Sequence, residues 1–438
     1  MYKKNSFSSF FIRIFAISIT LSTALNIASN INLNAQNSPY SSLGLGNISP
    51  QGFMAQEFMG GVGVSNTGSF IMNNINPALI ARNKNTILDI ALYGQQFNIK
   101  NSTTKQQEST GNISHIAVLF PVYKKYWTTQ LGFKPYSNVE YLYARTARVA
   151  GNPDFTATYT YQGSGGLNSF FWGNGFTIAK NLYVGAKINY LFGNITNEVG
   201  TQVNVGGADP KTILTNRTVF SNILVNLGAA ATFPLKNKNN INIGASFDLG
   251  QNLRVKRSTF NERRAANSGV ISQDTLLINQ KANINLPYKL RLGISYEKPS
   301  AYTFGVDVFT QAWKNYSDGT TPNPNLQFQN SNGIAVGAEL TPNFKSGNFF
   351  KRSTYRMGAQ YQQTAYLLNN QSINEFGISF GTSLPVGISQ VGLTYINLGL
   401  TVGQRGTTNA GLIQENYFKV TLGATINDLL WFNRPKIE

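Results

Sequence analysis

Leu182-Tyr183-Val184-Gly185-Ala186-Lys187-Ile188-Asn189-Tyr190-Leu191-Phe192-Gly193 is the stretch that decides the fold. Successive side chains on a strand point to opposite faces. One face therefore carries Leu182, Val184, Ala186, Ile188, Tyr190 and Phe192, and the other Tyr183, Gly185, Lys187, Asn189, Leu191 and Gly193. The first face is oily and the second mostly polar. The split returns where Ile241, Ile243, Ala245, Phe247 and Leu249 alternate with Asn242, Gly244, Ser246, Asp248 and Gly250. It returns again where Phe418, Val420, Leu422, Ala424 and Ile426 alternate with Tyr417, Lys419, Thr421, Gly423 and Thr425. A soluble β-sandwich shows the same alternation, so periodicity alone leaves the environment open.

Extending the reading both ways marks strands at about 86–100, 111–122, 127–149, 166–178, 182–200, 214–234, 241–256, 284–297, 302–314, 331–342, 353–368, 372–384, 388–403 and 414–427, about fourteen in all. An even count closes an antiparallel barrel. The links alternate between tight ones, such as Tyr123-Lys124-Lys125, Lys180-Asn181 and Pro299-Ser300, and long polar ones, such as 258–282 and 314–330. Short periplasmic turns and long outer loops sort in this way. Three links depart from the rule: 341–352 is long for its class, and the first and eleventh are short for theirs. The expected fold is an all-β, antiparallel transmembrane β-barrel of about fourteen strands.

Composition agrees. Charged residues are only 12% of the 438, and the apolar ones are scattered rather than blocked. The net charge of +18 suits anionic lipid or lipopolysaccharide; because the cations are spread along the chain, no nucleic-acid partner is expected. Within 1–35, Lys3, Lys4 and Arg13 precede an apolar run broken by Ser18, Thr20, Ser22, Thr23 and Asn26. The run falls short of the roughly 20 apolar residues of a spanning helix. It reads as a signal peptide cleaved after Ala35, and the expected location is the cell outer membrane. Residues 36–85 lack clean alternation and are rich in Gly, Asn and Met. Their apolar residues, among them Leu43, Phe53, Phe58, Val62, Phe70 and Leu79, argue for a compact hatch, or plug, in the lumen. The barrel is then 86–430, and 431–438 a periplasmic C-terminal tail.

Two irregularities stand out. Pro135, flanked by Lys134 and Tyr136, removes a ladder donor from the long third strand and is expected to bend or open the wall. Between Tyr395 and Leu398 the apolar phase slips, which suggests a bulge.

Chemistry is scarce. There is no cysteine and one histidine, His115, so thiol catalysis and a transition-metal site are not expected. Ser114 adjoins His115, and in a regular strand the two side chains face opposite ways, against a hydrolytic dyad. No metal, no cofactor and no enzyme activity are expected. Asp89, Lys187, Asp248, Lys289, Arg291, Asp307 and Lys419 lie opposite the apolar faces and are expected in the lumen. Lys289 and Arg291 are the candidate lumen ligand contacts, since Arg pairs a carboxylate in bidentate fashion; neutralising carboxylates on facing strands or the hatch is their other reading. Arg254, Lys256, Arg257, Arg263 and Arg264 cluster in and beside a long outer link where lipopolysaccharide phosphates would lie; a solvated loop is the other reading.

A glycine-rich start, then Asn76-Pro77-Ala78, then about fourteen strands with an interrupted third, resembles the FadL-type outer-membrane channels for hydrophobic compounds. Phe418 to Asn427, followed by Trp431-Phe432-Asn433-Arg434-Pro435, is similar to the closing segment of Bacteroidetes members of that superfamily. The resemblance implies that Asn76, Pro77 and Ala78 are the hatch motif, and that a lateral opening sits near Pro135. It also implies that a long-chain fatty-acid-like molecule passes by hatch movement and lateral release into the bilayer. The polar, Asn-rich outer loops show no greasy capture groove. A structural or interaction barrel, serving as plug or partner of a secretion-machinery protein, is the other reading.

Overall fold

The computed structural model describes residues 38–428, apart from 67, 69, 124–125, 207–208, 266–268, 319–325 and 390–391. The segments read as signal peptide and C-terminal tail lie outside the described residues. Fourteen antiparallel strands close a barrel. In chain order they are β1 Thr86–Lys100, β2 Lys105–Tyr123, β3 Trp127–Asn138 continued by Tyr141–Val149, β4 Asn152–Ala179, β5 Leu182–Asn204, β6 Lys211–Pro234, and β7 Asn240–Asp248 continued by Gln251–Arg264. They continue with β8 Val270–Leu286 then Lys289–Lys298, β9 Tyr302–Gln311, β10 Ser331–Leu340, β11 Thr354–Leu368, β12 Gln371–Ser389, β13 Gly392–Gly406 and β14 Gln414–Asp428. Closure is β14 on β1, from Gln414↔Lys100 to Asp428↔Thr86. A sandwich has no such pairing, so the sheet leaves no free lateral edge there.

The outward face is apolar and bare. Ile188, Tyr190, Ile223, Leu227, Ile243, Leu292, Ile294 and Phe380 are all exposed, far more contiguous apolar surface than a water-soluble chain tolerates. At the end where the barrel strands begin and finish, Trp127 stacks on Phe176 and Tyr123 on Tyr126, all exposed. Aromatic rings of this kind mark a membrane interface.

Several expected loops are strand. The segment 258–282 is mostly hairpin: β7 runs to Arg264 and β8 starts at Val270, paired from Gln251↔Leu286 to Arg264↔Val270. Far-end links such as 150–151 and 369–370 are as tight as those at the opposite end, so loop length does not sort the two ends. Above the apolar band both faces are wet, alternation fades, and a polar strand reads as loop. The bulge expected between Tyr395 and Leu398 does not lie on β13: its pairing with β14 is unbroken, and the shift in its pairing with β12 comes from an extra residue on β12, Val386, opposite Thr394 and Tyr395. The inward face of β13 is itself apolar at Leu393 and Tyr395 and polar at Asn397.

Residues 38–85, the segment named the hatch from the sequence, pack against the inward face of the wall. Short turns, a 3-10 helix at Pro77–Arg82 and a two-residue strand at Asn47–Ile48 replace long elements. Phe53, Met54, Phe58, Leu79 and Ile80 are essentially inaccessible, and burying such a side chain contributes about 1.5–3 kcal/mol. The wall is shaped to receive them. Every strand from β4 to β14 places an inward glycine at the level of the hatch, where a Cβ would crowd or overlap its neighbours. These include Gly185 and Gly228 against Asn76-Pro77-Ala78, Gly244 against Val64, Gly337 and Gly358 against Met59, and Gly399 against Phe58. At Gly185, Gly244, Gly337 and Gly358 hatch backbone meets the wall directly, and at Gly399 the ring of Phe58 does.

Candidate lumen site and lateral seam

Asn76-Pro77-Ala78 is a helix start. Pro77 supplies the fixed φ suited to the first position. Asn76 caps it, its Oδ1 accepting from Ala78 N at 3.0 Å while Nδ2 donates to Val64 O at 2.7 Å and to Ala229 O on β6 at 3.0 Å. The cap thus ties three segments together. Asn73 supports it, accepting from the backbone N–H of Ile75 and Asn76 and donating to Gly63 O. Replacing Asn76 by alanine strands two buried carbonyls and one N–H. At about 1 kcal/mol per lost bond, urea unfolding in detergent is expected to show about 3 kcal/mol lost.

Four of the seven charges expected in the lumen touch the hatch; Asp248 accepts from Gln51 Nε2 at 3.3 Å. Asp307 accepts from Gly63 N and Val64 N at 2.7 and 2.9 Å. Lys187 Nζ donates to Asn74 O at 2.5 Å, and Lys419 pairs with Glu57 at 2.8 Å. Arg82, from the hatch, pairs with Glu297 at 2.7 Å, a contact outside the expected set. Arg405 was also missed: it donates to Ser38 Oγ and Asn47 Oδ1 in the hatch and pairs with Glu415. Over it lies Tyr40, whose hydroxyl donates to Ile413 O; burial, then Glu415, raises the pKa of its phenol and keeps it a donor.

Lys289 and Arg291 are different. Both sit over the ring of Phe309, at 4.8 and 4.7 Å from its centroid. Arg291 Nε is buried without a partner. Of the nearby carboxylates, Asp307 gives Oδ2 to the hatch and keeps a buried Oδ1 without a partner, and Asp248 accepts from Asn226 Nδ2 at 2.7 Å and from Gln51 Nε2 at 3.3 Å. These two cations line a cavity of about 2640 Å³, its open mouth included, on the far side of the hatch. A second cavity of about 910 Å³, its open mouth included, is lined by Arg82, Glu297 and Arg356 on the near side. The hatch separates the two.

The far cavity reaches the wall at Pro135. Here β3 leaves β2. Their pairing runs from Tyr123↔Trp127 to Ile116↔Phe133 and goes no further. Beyond it β2 pairs only with β1, and β3 continues on β4 with a register shift between Pro135 and Ser137. The vacated edge is taken by the hatch: Asn47 pairs with Asn138, Ile48 with Ser137, and Ser49 N donates to Tyr136 O at 2.9 Å. Lys134 turns inward and clamps the next residues, donating to Pro50 O at 2.5 Å and Gln51 O at 3.2 Å. Wall kink and hatch are thereby joined.

His115 departs from expectation. A bulge at Ser114 on β2, between Ala91↔His115 and Leu92↔Ile113, brings both side chains inward, with Ser114 Oγ 3.2 Å from His115 Nδ1. Opposite facing holds only for a regular strand. Nε2 lies 3.2 Å from Asp89 Oδ2, and the ring stacks on Phe53 at 4.1 Å with no exposed surface. Sealed in this way, the group supports the hatch from the wall.

A family model described as BamG matches residues 11–438. No curated protein matches the sequence. Among solved structures, the CymD monoaromatic hydrocarbon channel is similar with a TM-score of 0.56 at 13% identity, over 87% of this chain and 98% of that one. The Ralstonia pickettii toluene transporter TbuX gives 0.56 at 14%, over 88% and 99%. A Pseudomonas aeruginosa FadL homologue gives 0.53 at 12%, over 87% and 99%. At such identities the likeness is one of fold, and at that level the resemblance to FadL-type barrels holds.

Proposed function

We propose that this chain, which belongs to the BamG family, is an outer-membrane barrel that admits a hydrophobic small molecule to the far-side cavity and releases it sideways at the Pro135 seam. One observation carries the reading: the cavity ends on a wall seam filled by hatch residues 47–49 rather than by a neighbouring strand. The axial way is closed by a hatch seated against glycines on eleven strands, β4 to β14. Movement is therefore assigned to the segment 38–52, and the remainder stays seated. Lateral release suits an apolar cargo, because keeping its surface in water costs about 25 cal/mol per Å² while the bilayer accepts it. Downhill passage needs no energy source.

Lys289 and Arg291 would hold an acidic head group, as in a long-chain fatty acid, with Phe309 beneath. The double substitution K289Q/R291Q is expected to weaken binding of a fatty acid by about tenfold or more, at about 1.5–3 kcal/mol for a hydrogen bond to a charged group. Binding of the matching fatty alcohol should be unchanged. Fluorescence displacement in detergent reads both; equal losses for acid and alcohol would remove the head-group role.

The same seated hatch favours a second reading, an occluded barrel acting as plug or partner in a secretion complex. That reading predicts no ligand in the far cavity and stable co-purification with a second protein. Native mass spectrometry of the protein taken from its own membrane separates the two.

A further inference from the structure

On the outward wall the structure redraws the basic cluster. Of the five residues near the β7–β8 hairpin, Arg257 turns inward to donate to Asp318 O, and Arg264 pairs with Glu262. Arg254 and Lys256 remain exposed on the outer face, since Val255 between them is buried in the lumen core with Phe220. Register adds two cations. Lys281 on β8 is directly opposite Lys256, and Arg217 on β6 is opposite Ser258, one diagonal step from Lys256. Opposed residues on paired strands have Cβ atoms about 4.5–5.5 Å apart, and diagonal neighbours about 7–8 Å. Four exposed cations on three adjacent strands thus share one face, and none has an ion pair among the described residues.

Like charges directly opposite one another oppose strand pairing, so Lys256 and Lys281 call for an anion between them. Position identifies it. Lys256 pairs with Val219, the top of the exposed apolar column Val219, Ile223, Leu227 on β6. The patch stands at the rim of the apolar band, at the far end, where head groups of the outer leaflet lie. We infer that Arg217, Arg254, Lys256 and Lys281 form a site for the phosphates of a lipopolysaccharide-type glycolipid, which seats the barrel in the outer leaflet. The inference rests on the membrane placement given above, not on the channel.

The test titrates the full chain in mild detergent with diphosphorylated lipid A and with its dephosphorylated form, reading bound lipid by native mass spectrometry. Wild type is expected to bind the first and not the second. K256Q/K281Q should bind it on the order of 25-fold more weakly, at about fivefold per cation. K236Q/K238Q, at the opposite end of the barrel, should match wild type. Heat-modified gel mobility checks folding; if the double variant fails it, K256Q alone, which relieves the like-charge pair, must still lose about fivefold. Unchanged binding in the variants, or equal binding of the dephosphorylated lipid, overturns the site. Displacement of lipid A by inorganic phosphate at equal concentration would make it a free-phosphate site and overturn the lipid assignment.

Discussion

Gly358→Leu is expected to unseat the hatch and cost about 3 kcal/mol or more, at the upper end of overpacking. A Cβ at Gly358 would overlap the backbone of Met59 and Gly60, and one at Gly60 would overlap the backbone of Ala359. Gly60 also lies at φ +67, where other residues are strained. Neither partner can yield by turning a side chain. Urea unfolding in detergent should show the loss, and limited proteolysis should newly cut within 38–85. Gly94→Leu is the control, since its Cβ would meet nothing within 4 Å. A Gly358→Leu protein as stable and protease-resistant as wild type would mean that the hatch is loosely held.

Much of this was legible in the sequence. The faces of β5, β7 and β14 are the ones that the alternation of Leu182 to Gly193, Ile241 to Gly250 and Tyr417 to Ile426 assigns. Asn76-Pro77-Ala78 stands out through the resemblance alone; that Asn76 caps the 3-10 helix at Pro77–Arg82 is a finding of the structure. Three features were hidden. The glycines of the inward faces were legible only as part of the polar face, although one recurring at mid-strand from Gly175 to Gly423 is a signal that something packs against the wall. The Ser114 bulge was invisible because one extra residue leaves no trace in composition. The outer part of the β7–β8 hairpin, 258–282, reads as loop because a strand standing above the bilayer lacks the regular oily alternation. Lys134 was placed at the opening by its neighbour Pro135, but its hatch contact depends on residues more than eighty positions away.

The seam carries the functional account, and its test is made clean by the absence of cysteine. Ile48 and Ser137 are Cα partners in antiparallel register. Opposed residues there lie about 4.5–5.5 Å apart, within the range a disulfide spans. Ile48→Cys with Ser137→Cys should therefore lock hatch to wall on oxidation. The decisive measurement is delivery of a fluorescent fatty acid from the far side into the bilayer of proteoliposomes carrying this variant, oxidised and then reduced. Delivery that stops on oxidation and returns to the wild-type rate on reduction is the result the account predicts; delivery at the same rate in both states would contradict it.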